Sequence, residues 1–230
     1  MMNAVAQSPF FGMTLTIFAY WLGVKIQSKT KSPLCNSMII AVAFVVAFLN
    51  LSGITYDQYY VGASIYQTFL VIATACLGVS IYRQLDLLKK NLLPVIVGCV
   101  VGSVTSIASV LFFCKLLAYE PIITLSMLPK SVTTAIATAI SDDQGAITSI
   151  TVAAVAISGV GGNLFAPYLS KLFRVKNPLE EGLAIGACSH ALGTAKAIQL
   201  GETQGAMSGL AMGLCGVITA IFALAFPYIV

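Results

Sequence analysis

Long apolar stretches, separated by short charged or turn-forming segments, run through the whole chain. They fall at about 9–26, 34–54, 60–82, 92–118, 122–140, 146–170, 182–200 and 205–229. Each stretch has, or nearly has, the roughly 20 apolar residues that an α-helix needs to cross a bilayer. The pattern predicts an all-α polytopic membrane protein. Since no linker interrupts residues 1–230, we expect a single integral membrane domain.

The composition also indicates a membrane protein. Hydrophobic residues make up 58% of the 230 residues and charged residues 9%, whereas soluble domains have roughly a quarter of their residues charged. A soluble chain of this size could not bury that much apolar surface. The net charge of +4 is not a nucleic-acid signal, because no basic run has interleaved aromatics. No basic residue precedes the first apolar stretch, so we expect a retained helix rather than a secretory signal.

The distribution of Lys and Arg predicts an orientation. If 122–140 enters and leaves the membrane on one side, the loops 25–31, 83–90 and 171–176 share a side and hold nine basic residues, against one opposite. A full crossing would instead divide them six to four. The positive-inside rule favours the first arrangement. We therefore expect about seven transmembrane helices plus one re-entrant segment, or eight spans if the segment crosses, with the N-terminus outside and the C-terminus inside.

Related segments indicate an inverted repeat with interrupted helices, in which 60–82 and 92–118 correspond to 182–200 and 205–229. The shared motifs are Gly98-x-x-x-Gly102 and Gly209-x-x-x-Gly213. Under the predicted topology, 92–118 and 205–229 run antiparallel. Secondary transporters use such repeats to build a central site, but glycine pairs at this spacing also mark close helix packing. Both interpretations stay open.

Two lysines, Lys130 and Lys196, lie inside apolar stretches, whereas the other 18 of the 20 charges lie in connectors or at stretch ends. A charge in a membrane segment costs roughly 2.5–3.5 kcal/mol on insertion scales and is a functional hypothesis by default. Pro129 interrupts the helix just before Lys130. The hydroxyl side chains that follow are Ser131, Thr133 and Thr134. This coincidence predicts a binding site, and the alternative is a lysine that snorkels to the surface.

A second polar cluster surrounds His190, the single histidine of the chain. The flanking small residues permit unwinding or close approach of the backbone, and an imidazole can exchange a proton near neutral pH. The candidate site residues here are Ser189, His190, Gly193, Thr194 and Lys196. A packing role for His190 and a snorkelling role for Lys196, near the Gly201-Glu202 turn, are the alternatives.

Both embedded charges are positive, and no Asp or Glu lies within an apolar stretch to neutralise them. A positive pocket that also receives half-helix N-termini should attract an anion, most economically a small carboxylate. We expect alternating access around this pocket, with Lys130 on the carboxylate and His190 as a proton-coupling group. We expect no metal site and no cofactor, because the cysteines are scattered singly, as packing or lipid-facing residues.

The two clusters resemble the signature segments of the LrgB/CidB family. They are Leu128-Pro129-Lys130-Ser131-Val132-Thr133-Thr134 and Ser189-His190-Ala191-Leu192-Gly193-Thr194-Ala195-Lys196, and Glu202-x-x-Gly205-Ala206-Met207-Ser208-x-Leu210-Ala211-Met212 continues the similarity. The resemblance extends from Pro33 to the C-terminus. It implies a protein of the bacterial inner membrane, with one of two roles. One is a carrier of glycolate, glycerate or pyruvate; the other is an antiholin-like modulator of murein hydrolase activity and autolysis.

The resemblance also implies a partner, a small LrgA/CidA-like holin-like membrane protein, and a homo-oligomer stays open. The chain departs from the family where members commonly have prolines: it has Ile72, Ser80 and Ala135. These departures put the helix break in the first half of the chain in doubt.

Two other classes of protein compete with a carrier. An intramembrane serine protease would pair His190 with Ser208, but Met207-Ser208-Gly209 matches a Gly-x-Ser-Gly segment only in part. We therefore expect no enzymatic activity. A pore is the stronger competitor, although holins usually have few spans and a chain with about seven looks more like a carrier.

Overall fold

The computed structural model describes residues 8–30, 37–66 and 85–230, and between the last two ranges only residues 68, 69, 72, 79 and 82. Every regular element in this part of the chain is a helix, which confirms the all-α polytopic prediction. The chain divides into two compact units, Met1–Ala73 and Thr74–Val230. That the whole chain acts as one domain stays a prediction.

The first unit contains α1 (Pro9–Thr30), α2 (Ser37–Ser52) and α3 (Tyr56–Ala63). The second contains α4 (Leu85–Lys90), α5 (Leu92–Leu116), α6 (Pro121–Met127), α7 (Thr134–Asp143), α8 (Thr148–Leu172), α9 (Pro178–Leu200), α10 (Glu202–Ala223) and α11 (Phe226–Ile229). Among the described residues, four helices are long and apolar enough to cross a membrane: α1, α5, α8 and α10. The helix α2 is apolar but has only 16 residues.

In the first unit, α1 approaches α3 closely at two glycines. A Cβ on Gly12 would overlap the backbone of Tyr59, and a Cβ on Gly62 would overlap the backbone of Pro9. The close approach lets the hydroxyls of Thr16 and Tyr59 meet at 2.7 Å. Many aromatic side chains of this unit are exposed rather than packed inside it, as expected for helices that face lipid.

In the second unit, the segment 121–143 folds back on itself. The Thr151 hydroxyl, in the first turn of α8, donates to the backbone oxygen of Ser126 over 2.8 Å and lies 2.8 Å from the Ser141 hydroxyl. Ser126 and Ser141 are therefore close together although they belong to different helices. The chain between them must reverse, and Lys130 lies in the turn. This segment, hairpin 1, has the geometry of the predicted re-entrant segment.

The helix α9 also reverses direction, at His190, where φ is 40° and ψ is −137°. A non-glycine residue in this region is strained by roughly 1–3 kcal/mol, so the surroundings must hold it there. A Cβ on Gly193 would lie 3.2 Å from the carbonyl oxygen of Ile185, and Ala197 packs in a cluster with Ile185. A straight helix would separate residues 185 and 193 by about 12 Å. Residues 178–200 therefore form hairpin 2, with an entering arm before His190 and a return arm after it.

The prediction that 182–200 is a span of its own is therefore wrong. The entering arm runs parallel to α10, and the close backbone approaches are Gly182 to Gln204 and Gly186 to Ser208. The return arm runs antiparallel to α10, because Ile198 packs on Gly205 just across the connecting turn. Hairpin 2 thus begins and ends on the same side of the unit.

The predicted antiparallel relation between 92–118 and 205–229 is also wrong. Cys99 lies against Ala211 and Cys215, while further along both helices Val110 and Phe226 share one cluster. Rising residue numbers in α5 therefore match rising numbers in α10, and the two helices are parallel. The reason is the reversal at His190, which returns the chain to the side where α5 begins before α10 starts.

An inverted repeat is nevertheless present, with other members than the predicted ones. The helix α8 runs antiparallel to the entering arm of hairpin 2, since Gly162 meets Ser189 and Ala166 meets Ile185. Hairpin 1 with α8 (121–172) thus has the same order of elements as hairpin 2 with α10 (178–223) and the opposite orientation. Of the stretch 60–82, assigned by prediction to the first half, residues 67, 70, 71, 73–78, 80 and 81 lie outside the described residues.

Hairpin 1 forms although the chain lacks prolines that family members commonly have. Ala135 lies in the first turn of α7, after the interruption that Pro129 introduces. Ile72 is helical and exposed, and Ser80 lies outside the described residues.

The two ends of the second unit differ in charge. The end where α5 begins and α8 ends, the basic face, has Lys89, Lys90, Lys171, Arg174 and Lys176, together with the acidic residues Asp86, Glu180, Glu181 and Glu202. At the opposite face are Lys115, Glu120, Asp142 and Asp143. Both ends of hairpin 2 lie at the basic face, and both ends of hairpin 1 lie at the opposite face.

Glycine at position 186 is required for hairpin 2 to lie against α10. In Gly186→Ala the new Cβ would lie 2.8 Å from the Ser208 Cα, so we expect a loss of about 1–3 kcal/mol of stability. Gly209→Ala is the matched control, because nothing lies within 4 Å of its added Cβ and Ala is favoured in a helix by roughly 0.5–1 kcal/mol. Thermal unfolding in detergent, followed by a dye that reacts with the buried thiols, measures both. Equal transition temperatures for the two variants would contradict this packing.

Candidate functional site

The turns of the two hairpins meet at a cavity of about 610 Å³ in the second unit. Hairpin 1 contributes Lys130 and Ser131, and hairpin 2 contributes Cys188 and Ser189. The walls come from α5 and α8, and their polar or small members are Gly102, Thr105, Ser106, Ser109, Ser158, Gly161, Gly162, Ala166 and Ser170. The cavity therefore combines one ammonium group and several hydroxyl groups with apolar side chains and, toward the end where α9 begins, the Glu181 carboxylate.

Lys130 is half-buried in this cavity. Its ammonium group donates to the Ser106 hydroxyl over 3.4 Å and to the Ser131 hydroxyl over 3.3 Å. The two hydroxyls lie 2.6 Å apart. Within the described ranges no carboxylate pairs with Lys130, so its positive charge is uncompensated. An uncompensated cation in a hydroxyl-lined cavity is suited to bind an anion.

The local sequence explains why Lys130 lies at a turn. Pro129 lacks a backbone N–H and interrupts the helix, and Thr133 starts the next one by accepting a hydrogen bond from the Ile136 N–H over 3.5 Å. The N-terminus of α7 therefore lies at the turn, where its positive dipole end adds to the charge of Lys130. Thr133 is buried, and together with Thr134 it forms the start of α7 without lining the cavity.

Hairpin 2 brings Ser189 to the cavity and leaves His190 behind it. A Cβ on Gly162 would overlap the Ser189 hydroxyl, so only glycine fits there. His190 is buried, and its Nε2 lies 2.9 Å from the Val155 carbonyl oxygen. Since a carbonyl oxygen only accepts, Nε2 carries the proton. The Thr194 hydroxyl donates to the His190 carbonyl over 2.9 Å, on the side of the turn away from the cavity.

The structure brings together part of the predicted site. Of the predicted residues, Lys130, Ser131 and Ser189 line the cavity. Those that shape the two turns without lining it are Thr133, Thr134, His190, Gly193 and Thr194. Lys196 lies on the return arm, where it donates to the Gln199 side-chain oxygen over 3.4 Å, and it does not line the cavity.

Sequence reasoning missed several cavity residues. No sequence pattern identifies Ser106 and Ser158 as cavity residues, because a serine in an apolar helix can face lipid, a neighbouring helix or a cavity equally well. The expectation that the cysteines pack or face lipid agrees with the burial of Cys99 and Cys215 but not with Cys188, which is exposed and lines the cavity. Its position next to Ser189 in the polar cluster was the available signal.

The serine protease alternative depends on contact between His190 and Ser208. Ser208 is fully buried, and its hydroxyl lies 2.9 Å from the hydroxyl of Thr194. The side chain of His190 bonds to Val155 instead. In the part of the chain that the structure describes, no group of three or more His, Cys, Asp or Glu side chains could hold a metal ion.

Comparison with known proteins identifies the family. The sequence profile described as the LrgB-like family matches residues 16–228, which include both hairpins. The chain is 34% identical over 219 residues to proteins named antiholin-like protein LrgB from Bacillus mycoides, Bacillus cereus and Bacillus anthracis. Each alignment covers 95% of this chain and 95% of the relative. No solved structure matches the chain. On the family profile and these relatives, the chain belongs to the LrgB-like family.

Proposed function

We propose that this protein carries a small organic monocarboxylate, of the pyruvate or glycolate class, across the bacterial inner membrane. The observation that supports the proposal is the uncompensated ammonium group of Lys130, held by hydroxyls in a cavity of about 610 Å³. A carboxylate bound there would neutralise the charge. Ser189 and one of the two hydrogen-bonded hydroxyls of Ser106 and Ser131 would donate hydrogen bonds to its oxygens.

The arrangement of the hairpins favours a carrier over a passive binding site. Inverted repeats whose interrupted helices meet in the middle of the membrane allow a site to be exposed to either side in turn. Here the two turns come from opposite faces, and Lys130 and Ser189 lie at the same cavity. We propose alternating access in which the carboxylate stays on Lys130 while the hairpins change their contacts around it.

The charge asymmetry of the second unit suggests its orientation. The basic face has five Lys or Arg residues in its connectors and helix ends, and the opposite face has Lys115. Under the positive-inside rule the basic face would be cytoplasmic. Because α10 is parallel to α5, the C-terminal end of the chain would then be outside, which replaces the earlier expectation of a cytoplasmic C-terminus.

A second candidate function is supported by the relatives. Proteins 34% identical to this chain are named antiholin-like, which favours a regulator of autolysis that acts on a holin-like pore. Both functions are compatible with an LrgA/CidA-like small membrane protein as partner, and we propose that this protein works with one. We propose no enzymatic role, because Ser208 and His190 have separate partners.

Lys130→Ala should lower uptake strongly while membrane insertion stays intact. Loss of a charge-assisted contact to the carboxylate should lower uptake by about ten- to a hundredfold. Uptake of labelled pyruvate, glycolate and lactate into proteoliposomes measures this. Lys115→Ala is the matched control, since Lys115 is exposed at the end of α5 and does not line the cavity. Unchanged uptake by Lys130→Ala would refute the assignment of the site.

A carrier and a pore regulator differ in the kinetics of flux. For a carrier that works with an LrgA-like protein, we expect saturable uptake when both proteins are present, and a second carboxylate should inhibit the uptake of the first. A regulator of a pore should instead show leakage of unrelated solutes that appears only with the LrgA-like protein. Reconstitution of each protein alone and of both together, with neutral sugars as the control solutes, separates the two functions.

A further inference from the structure

Two hydrogen bonds attach the turn of hairpin 2 to one face of α8. The His190 Nε2 donates to the Val155 carbonyl oxygen over 2.9 Å. The Asn163 side-chain amide donates to the Leu192 carbonyl oxygen over 2.8 Å. Residues 155 and 163 are about two helical turns apart and therefore share a face of α8. The turn of hairpin 2 is thus held at two points, one at the reversal itself and one just after it.

Between these two points, glycines leave a groove on α8 that the turn occupies. A Cβ on Gly159 would lie 2.6 Å from the His190 ring and 2.9 Å from the Leu192 side chain. A Cβ on Gly162 would overlap Ser189. The fit is therefore specific to the observed position of the turn, and any side chain in the groove would push the turn away from α8.

The contact lies where the cavity ends. From Lys130 and Ser189 the cavity reaches Phe173 and Glu181, near the basic face. His190, one residue beyond Ser189, does not line it, and its partner Val155 is packed against hairpin 1 in a buried cluster with Val132 and Ala137. The turn of hairpin 2, α8 and hairpin 1 therefore close the cavity toward the opposite face.

The closed position is held by few contacts and against local strain. His190 has a positive φ of 40°, which a non-glycine residue adopts only when its surroundings impose it. The reversal frees backbone carbonyls that must find donors inside the membrane, and Asn163 supplies one of them. His190 also has a buried Nδ1 without a hydrogen-bond partner among the described residues. An element of this kind is suited to have two positions.

We propose that Asn163 and His190 are positioning residues of a gate, which closes the cavity toward the opposite face by holding the turn of hairpin 2 on α8. Release of the two bonds lets the turn leave the glycine groove and opens the path from Lys130 to that face. The part that the gate plays in transport rests on the proposed function, whereas the closure itself is a property of the fold.

Cys188 is a native reporter of the gate, because it is exposed in the cavity beside the turn. A membrane-impermeant maleimide is applied to one side of sealed proteoliposomes of known orientation, and the peptide that contains Cys188 is quantified by mass spectrometry. We expect the wild type to react much faster from the basic face than from the opposite face, a pattern called one-sided reaction below. Asn163→Leu, similar in size but without a donor, should react from the opposite face at least about tenfold faster than the wild type.

Two variants of His190 separate the hydrogen bond from mere packing. His190→Gln keeps an amide donor near the Nε2 position and should keep the one-sided reaction. His190→Leu has no donor and should react from both faces. Thermal unfolding of each variant in detergent accompanies the labelling, so that only folded protein is compared.

The outcomes are distinct. Two-sided reaction of the folded Asn163→Leu and His190→Leu variants, with one-sided reaction of His190→Gln, supports the gate. One-sided reaction of both leucine variants, or equally fast reaction of the wild type from the two faces, overturns it. Uptake is measured on the same vesicles: a gate that opens in vesicles without any carboxylate uptake would leave the gate standing and remove the carrier function. Uptake that depends on Lys130, with labelling unaffected by the Asn163 and His190 variants, would support the carrier function and overturn the gate.

Discussion

The positive charge of Lys130 is the constraint around which the second unit is built. An ammonium group inside a membrane segment needs water, an anion or hydrogen-bond acceptors. Here the turn of hairpin 1 takes Lys130 to a cavity, and the hydroxyls of Ser106 and Ser131 accept its hydrogen bonds. No carboxylate among the described residues completes the pairing. Such an arrangement is suited to an anion that enters the cavity, which is the basis of the proposed carrier function.

Glycine makes the remaining geometry feasible. A reversed helix inside a membrane exposes backbone groups that must be satisfied within the protein, which requires neighbouring helices to come very close. Gly182 and Gly186 bring hairpin 2 onto the backbone of α10, and Gly159 and Gly162 admit its turn onto α8. The same approach that stabilises the broken helix also brings Ser189 to the cavity that contains Lys130.

Features that depend on particular residue types at neighbouring positions could be predicted from the sequence. The distribution of Lys and Arg predicted the re-entrant segment, and the coincidence of a proline, a charge and several hydroxyls around Lys130 predicted a site there. The reversal at His190 has no such mark, because a non-glycine residue with positive φ is imposed by tertiary contacts. The stretch 182–200 therefore looked like an ordinary span, and the wrong prediction that α5 and α10 run antiparallel followed from that error. Helix rotation, which turns Ser106 and Cys188 toward the cavity, is likewise set by packing.

The most direct test of the central claim, that Lys130 binds a carboxylate in this cavity, is ligand protection of Cys188 in the purified protein. Cys188 lines the cavity together with Lys130, so a bound anion should shield its thiol from a maleimide. The account predicts that pyruvate, glycolate or lactate slows alkylation of Cys188 in the wild type and has no effect in Lys130→Ala. Equal protection in both proteins, or no protection by any of these carboxylates, would contradict it.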